Sequence, residues 1–122
     1  MILKNLSQST VLNCECKIVT SIVDSLFGLL KKDNHALLLK TRFGIHTFGL
    51  SNNIDVIILN STWKVVKLKQ NIHPNRIFFW NPKFSLVLEL PYGSIKKSNT
   101  KLGDQITHLT KKSSRQAEGL NS

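Results

Sequence analysis

Short apolar runs separated by turn-forming residues dominate the sequence after residue 35. Residues 54–59 read Ile-Asp-Val-Ile-Ile-Leu, residues 63–72 mix Val, Leu and Lys, and residues 84–90 place Phe or Leu at every second position. Runs of this length that are rich in branched apolar residues are typical of strands. Asn60-Ser61-Thr62 is short enough to join the first two runs as an antiparallel hairpin. The chain is therefore predicted to fold around a β-sheet.

Further strands and one helix complete the predicted order of elements. Residues 11–19, 36–43 and 105–109 are also predicted strands, whereas residues 76–83 are predicted to form a loop and Pro91-Tyr92-Gly93 a turn. Ser21 and Asp24 are typical of a helix start, and an apolar stripe follows up to Lys31-Lys32, so a helix is expected over residues 21–32. The predicted fold class is α+β: a mainly antiparallel curled β-sheet or partial β-barrel with one packed α-helix.

The size and charge of the chain limit its organisation. With 122 residues, 41% of them hydrophobic, the chain allows one hydrophobic core. We expect a single β-rich domain over residues 1–110 and a polar, flexible tail over residues 111–122. Lys and Arg number 17 against 7 acidic residues, a formal net charge of +10, which favours polyanionic partners or high solubility.

The start of the chain and its two cysteines bear on its compartment. Lys4 ends the apolar run that begins the chain, so this run is too short for a secretory signal. The sequence also has no apolar run long enough to span a membrane. Cys14 and Cys16 are separated by one residue, a spacing that favours free structural thiols over a disulfide or a zinc site. A cytoplasmic protein without a membrane span, metal or other cofactor is expected.

An ordered series of motifs extends over most of the chain, from about residue 16 to residue 109. It comprises Gly28-Leu29-Leu30, Arg42-Phe43-Gly44-Ile45-His46-Thr47-Phe48-Gly49-Leu50, Ile54-Asp55-Val56-Ile57-Ile58-Leu59, Val65-Val66, Pro74-Asn75-Arg76, Val87-Leu88-Glu89-Leu90-Pro91-Tyr92-Gly93 and Gly103-Asp104-Gln105-Ile106. In this order the series resembles the prokaryotic "domain of unknown function 192" family. Leu30 and Leu50 stand where that family usually has methionine. The resemblance implies a shared fold and carries over no activity, substrate or cofactor.

Two carboxyl groups lie among aliphatic neighbours and are the first candidates for a binding site. Asp55 lies in the run of residues 54–59 and Glu89 in the run of residues 84–90, and a buried carboxylate must be paired, hydrogen-bonded or neutralised. Arg42, His46 and Thr47 precede Asp55 and are plausible partners. The favoured alternative is a structural role for both groups. In it, Asp55 caps a loop through backbone N–H groups, and Glu89 forms an inward salt bridge or guards a sheet edge.

A second candidate surface is basic and aromatic. Cations surround Phe78-Phe79-Trp80, and nucleic acids combine phosphates that attract cations with bases that stack on aromatic rings. The candidate residues of this surface are Lys67, Lys69, Arg76, Trp80 and Lys83. A solvated charged face, with the aromatic residues covering one end of the sheet, is the favoured alternative.

These patterns predict a small, non-catalytic domain that binds a small ligand or a protein. The first alternative is a nucleic-acid-binding module that uses the basic and aromatic surface. The second is a hydrolase or metal-dependent enzyme in which His46 and the two carboxyl groups converge. The sequence contains none of the usual nucleophile, zinc or phosphate-binding motifs, so no catalytic or metal-binding residue is assigned.

Overall fold

A computed structural model describes residues 1–18 and 35–110 of the chain. In these residues the elements are, in chain order, β1 (Ile2–Asn5), β2 (Thr10–Asn13), β3 (Cys16–Ile18), β4 (Ala36–Lys40), β5 (Ile45–His46), β6 (Ile54–Leu59), β7 (Val65–Ile72), β8 (Ile77–Phe78), β9 (Leu86–Pro91), the helix α1 (Ser94–Ser98) and β10 (Ile106–Leu109). The helix predicted at residues 21–32 and the tail predicted from residue 111 lie outside the described residues.

A five-stranded sheet forms the centre of the fold, with the strand order β3-β4-β9-β6-β7. Its neighbours pair antiparallel except for β3 and β4, which pair parallel. The predicted hairpin between β6 and β7 is confirmed, and the Asn60 side chain organises its turn by accepting hydrogen bonds from the backbone N–H groups of Thr62 and Lys64. The predicted α+β class is confirmed, with the described strands in three sheets rather than a closed barrel.

All six residues of β6 are buried because both faces of the central sheet are covered. One face packs against the sheet β10-β1-β2 and against α1, with Leu3, Ile95 and Ile106 meeting Ile57 and Leu88. We call it the first face. The opposite, second face carries Val56, Ile58 and Val87, and it packs against Trp80 and the residues of the small β5–β8 sheet. Both clusters are apolar, so the central strands read as continuous hydrophobic runs.

The structure differs from the predicted elements mainly where elements are short. The strand expected at residues 11–19 is broken into β2 and β3, because the Asn13 side chain accepts a hydrogen bond from the Glu15 backbone N–H and turns the chain. The strand predicted at residues 36–43 ends at Lys40. The strands β1, β5 and β8 and the helix α1 were not predicted. Each has five residues or fewer, so its local pattern is too short to signal it.

Candidate functional site

The carboxylate of Asp55 is fully buried and is held by three backbone N–H groups. Asn71 donates to its Oδ1 at 3.0 Å, and Gly93 and Ile95 donate to its Oδ2 at 3.1 and 3.0 Å. Asn71 has a positive φ of 57° and lies opposite the register shift between β6 and β7. The acceptor for the N–H groups at the start of α1 therefore comes from a distant strand. Asp55 therefore joins β6, β7 and α1 through backbone N–H groups, which is a structural role.

Glu89 has a different environment from Asp55. Its side chain is 2% exposed on the central strand β9, and its Oε2 atom has no hydrogen-bond partner. Its neighbours across the two adjacent strands are Leu37 and Val56. Burial raises the pKa of the Glu89 carboxyl from its ordinary value of 4.5 to about 8. At neutral pH this carboxyl is therefore mainly neutral.

The two buried carboxyl groups lie on opposite faces of the central sheet. Asp55 pairs with Leu90 and Val56 pairs with Glu89, and successive residues of a strand point to opposite faces. Asp55 therefore points to the first face, toward α1, and Glu89 to the second. His46 is exposed on β5. The structure does not bring these three residues together into one acid–base site.

The small sheet of β5 and β8 presents a row of aromatic and apolar side chains to solvent. Ile45 pairs with Phe78 and His46 with Ile77. Ile45 and Phe78 pack inward on the second face, so the alternation of a strand turns His46 and Ile77 outward. Phe48 stacks on the outward His46, with 5.1 Å between ring centroids. We call residues 43–48 and 76–79 the aromatic ribbon.

Phe79 and Phe43 are the most exposed phenylalanine residues of the aromatic ribbon, at 64% and 87%. The Phe79 ring lies against Gly44, where an added Cβ would come within 2.6 Å of the ring atom Cδ1 and 2.8 Å of the Phe78 carbonyl oxygen. Gly44 also has a positive φ of 90°, which favours glycine. The backbone at Gly44, directly before β5, is therefore shaped to hold Phe79 in place while most of that residue faces solvent.

Thr47 fixes one end of the aromatic ribbon. Its hydroxyl donates to the His73 carbonyl oxygen at 2.7 Å and accepts from the Arg76 backbone N–H at 2.8 Å. Its backbone N–H donates to the Arg76 carbonyl oxygen, and its carbonyl oxygen accepts from Asn75. Because the Thr47 side chain is buried, it positions the loop before β8 rather than contacting a partner itself.

Cations lie along the second face beside the aromatic ribbon. Lys67 and Lys69 pair with Ile58 and Val56, so both belong to this face, and both are exposed on the edge strand β7. The Lys67 ammonium donates to the Phe79 carbonyl oxygen at 3.2 Å and lies 5.1 Å from the Phe78 ring centroid. The aromatic ribbon is therefore directly bordered by positive charge.

The other cations predicted for the two surfaces are also on the exterior. The Arg42 guanidinium donates to the carbonyl oxygens of Pro82 and Lys83, at 2.9 and 3.1 Å, and so joins the chain before β5 to the loop after β8. The Lys83 ammonium lies 6.0 Å from the Phe84 ring centroid. Arg76, at the start of β8, is exposed. Arg42, Lys83 and Arg76 thus extend the positive charge around the aromatic ribbon.

Trp80 is not part of the exposed surface. It is 7% exposed, packs in the cluster of the second face and donates its indole N–H to the Phe84 carbonyl oxygen at 2.8 Å. The exposed ring is its neighbour Phe79, which was not chosen from the sequence. Strand alternation explains its exposure once β8 has paired with β5, since burying Phe78 and Trp80 turns Phe79 outward. The expectation of a loop over residues 76–83 was wrong at β8, whose two residues are too few to indicate a strand.

Residues 1–18 and 35–110 hold neither a cluster of metal ligands nor a helix suited to crossing a membrane. Within them, no three His, Cys, Asp or Glu side chains gather where they could hold a metal ion. Over the same part of the chain, no helix combines the length and the apolar character needed to cross a membrane.

Two solved structures share the fold. A protein of unknown function from Novosphingobium aromaticivorans superimposes with a TM-score of 0.71 at 14% identity, over 88% of this chain and 82% of its own. A candidate transcription regulator from Sinorhizobium meliloti superimposes with a TM-score of 0.67 at 15% identity, over 87% of this chain and 89% of its own. At such identities the likeness concerns the fold alone.

A sequence relative identifies the family. No family model matches the chain, so the label of domain of unknown function 192 stays a prediction. A UPF0127 protein of Pyrococcus horikoshii, however, is 32% identical over 103 residues, which cover 79% of this chain and 89% of the relative. UPF0127 is an uncharacterised family. The chain belongs to the UPF0127 family.

Proposed function

We propose that the chain is a non-catalytic binding domain that takes an anionic partner on the aromatic ribbon. The observation that carries the proposal is the exposure of several large apolar side chains in the aromatic ribbon. Phe43, Phe79, Ile77 and Phe48 are each more than half exposed. Contiguous apolar surface costs free energy in water, and on small proteins it marks a site of interaction.

The charge around the aromatic ribbon supports an anionic partner. Residues 40–85 contain one acidic residue, Asp55, and its carboxylate is buried and points to the opposite face of the sheet. The same segment contains seven basic residues, namely Lys40, Arg42, Lys64, Lys67, Lys69, Arg76 and Lys83. This local excess attracts negative charge and repels a basic partner.

The positions of the carboxyl groups support a non-catalytic domain. A hydrolase built on His46, Asp55 and Glu89 would need them within hydrogen-bond reach of one substrate. Asp55 and Glu89 lie on opposite faces of the central sheet, and the Asp55 carboxylate already accepts three backbone hydrogen bonds. We therefore assign Asp55 to the framework and keep Arg42 and His46 as surface residues, with Thr47 positioning the loop.

A nuclear magnetic resonance titration with two unrelated polyanions tests the proposal. Poly-L-glutamate and a single-stranded oligothymidylate are added separately to the isotope-labelled protein, and shifts of the backbone amide signals are mapped. We expect at least one polyanion to shift the signals of residues 42–48 and 76–83 most. The exposed Lys96 and Lys97 of α1 serve as the internal comparison, because α1 packs on the first face.

Loss of the exposed rings is the decisive variant. The double substitution Phe43→Ala and Phe79→Ala should abolish the shifts while leaving the circular dichroism spectrum unchanged, since both side chains are exposed. The proposal is wrong if neither polyanion shifts the aromatic ribbon, or if the largest shifts follow lysines all over the surface.

A further inference from the structure

The aromatic ribbon places exposed aromatic rings beside two cations of β7. Phe79 is held against Gly44 with 64% of the residue exposed, and Phe43 is 87% exposed. Lys67 and Lys69 stand two positions apart on one face of β7, about 6.6 Å along the strand. The Lys67 ammonium donates a hydrogen bond to the Phe79 carbonyl oxygen, so the first of the two cations lies next to the residue that carries the exposed ring.

Building on the proposed function, on which this inference rests, we infer that the anionic partner is single-stranded nucleic acid. Its bases stack on Phe79 and Phe43, and its phosphates lie along Lys67 and Lys69. Stacking on aromatic side chains beside a positive groove is the general mode by which single strands are bound without base-specific hydrogen bonds. Every base has a ring face, so the surface selects the single-stranded state rather than a sequence.

The chemistry of the exposed side chains favours a nucleic acid over an acidic polypeptide. A polypeptide bound on the small sheet would gain affinity by adding a strand to its edge, but β5 and β8 pair over only two residues each. The three exposed Phe rings have no polar atom with which to satisfy a peptide backbone. They do provide ring faces. His46 and Phe48, stacked at 5.1 Å, already show an aromatic contact on this surface.

The binding experiment compares two oligomers of equal charge. One is a fluorescently labelled twelve-nucleotide oligothymidylate, and the other is an abasic oligomer with the same sugar–phosphate backbone and no bases. Fluorescence anisotropy measures both dissociation constants on the full chain. Because stacking contributes roughly 1–3 kcal/mol for each base, we expect the oligothymidylate to bind at least 5-fold more tightly than the abasic oligomer.

Phe79 variants locate the stacking. Phe79→Ala should weaken oligothymidylate binding about 5-fold or more and leave abasic binding nearly unchanged, whereas Phe79→Trp should keep the preference for bases. Tyr92→Ala is the matched control, because Tyr92 is 60% exposed and follows β9 outside the aromatic ribbon. Thermal unfolding of each variant confirms that it is folded.

Paired lysine variants locate the phosphate contacts. Lys67→Gln with Lys69→Gln should reduce the slope of the logarithm of affinity against the logarithm of salt concentration by about 1.4, at 0.7 for each phosphate contact with a single strand. Lys96→Gln with Lys97→Gln changes the net charge by the same amount on α1. This control should leave the slope nearly unchanged.

The outcomes separate the two levels of the proposal. Equal affinity for the two oligomers, or a base preference that survives the double substitution Phe43→Ala and Phe79→Ala, overturns the inference that single-stranded nucleic acid stacks on the aromatic ribbon. If poly-L-glutamate then shifts the aromatic ribbon in the titration, an acidic polypeptide is the partner and the proposed function stands. If no polyanion binds there, both are wrong. A base preference lost in Phe79→Ala supports both.

Discussion

The buried carboxyl of Glu89 makes folding stability depend on pH in a direction opposite to that of most acidic groups. The pKa of this carboxyl is about 8 in the folded protein against an ordinary value of 4.5, because burial disfavours its charged form. Between these two pH values the folded state holds a proton that the unfolded state has lost. The contribution of Glu89 to stability is therefore full below about pH 4.5 and is lost as pH rises toward about 8.

The size of this effect follows from the two values. One pH unit corresponds to 1.36 kcal/mol for a single group, so the interval from 4.5 to about 8 gives a total loss of roughly 5 kcal/mol. Over two pH units inside that interval the expected loss is about 3 kcal/mol. For a domain whose whole stability is about 5–15 kcal/mol, such a change is large.

Two variants that do not titrate isolate the contribution of Glu89. Glu89→Met replaces the carboxyl by an apolar group of similar length, and Glu89→Gln keeps the shape of the neutral carboxyl but adds an amide. Urea unfolding at pH 5.5, 6.5 and 7.5 gives the free energy of unfolding of each protein. The stability of each variant relative to the wild-type protein should rise with pH by about 1.36 kcal/mol for each unit.

Agreement between the two variants is the critical test. The buried amide of Glu89→Gln needs hydrogen-bond partners, so its curve should be offset from that of Glu89→Met by roughly 1–3 kcal/mol while keeping the same slope. A stability difference that is flat across this pH range in both variants would refute the account of Glu89 as a buried neutral carboxyl.

Three further predictions concern the framework of the fold. Asp55→Ala should lower the free energy of unfolding by about 4 kcal/mol, because it leaves three backbone N–H groups without their acceptor. Asn53→Ala, at a partly buried neighbour that makes one exposed side-chain hydrogen bond, should cost less than 1 kcal/mol, and urea unfolding measures both. Gly44→Ala should lower the free energy of unfolding by about 2–4 kcal/mol, and Gly103→Ala should lower it by about 1 kcal/mol. Both glycines have a positive φ, but only at Gly44 would an added Cβ come within 2.6 Å of the Phe79 ring. Equal losses of stability in thermal unfolding would contradict this account. Burial alone would raise the pKa of Asp104, but the hydrogen bonds that its carboxylate accepts hold this pKa below 3.8. Its contribution to stability is therefore lost as pH falls through the folded-state pKa. In acid unfolding, Asp104→Asn should lose less stability between neutral and acidic pH than the wild-type protein does.

Most of the longer strands could be predicted from the sequence. The runs that became β6, β7 and β9 are long enough for composition and alternation to identify them, and the turn at Asn60 follows from local side-chain chemistry. The same alternation placed Asp55 and Glu89 in buried strands. It could not show that their side chains face opposite sides of the sheet, because that depends on the register between β6 and β9.

Which rings of the aromatic ribbon are exposed depends on the pairing of β5 with β8, two strands that are far apart in the sequence. The β5 and β8 strands have two residues each and are stabilised by one another and by the Thr47 hydrogen bonds to His73 and Arg76. Neither strand has a local signal of its own. Once they pair, Phe78 is placed inward and Phe79 outward, so the tertiary structure decided which ring is accessible.

The sequence by itself determined the β-rich class, the hairpin of β6 and β7 and the excess of positive charge, because these follow from local periodicity and composition. The tertiary structure decided which face of each strand is covered and which polar groups meet. Asn5 bonds Asp104 across 99 residues, and Asp55 bonds Ile95 across 40. Such contacts arise only when the packed layers bring distant backbone and side chains together, and a local pattern carries no information about that distance.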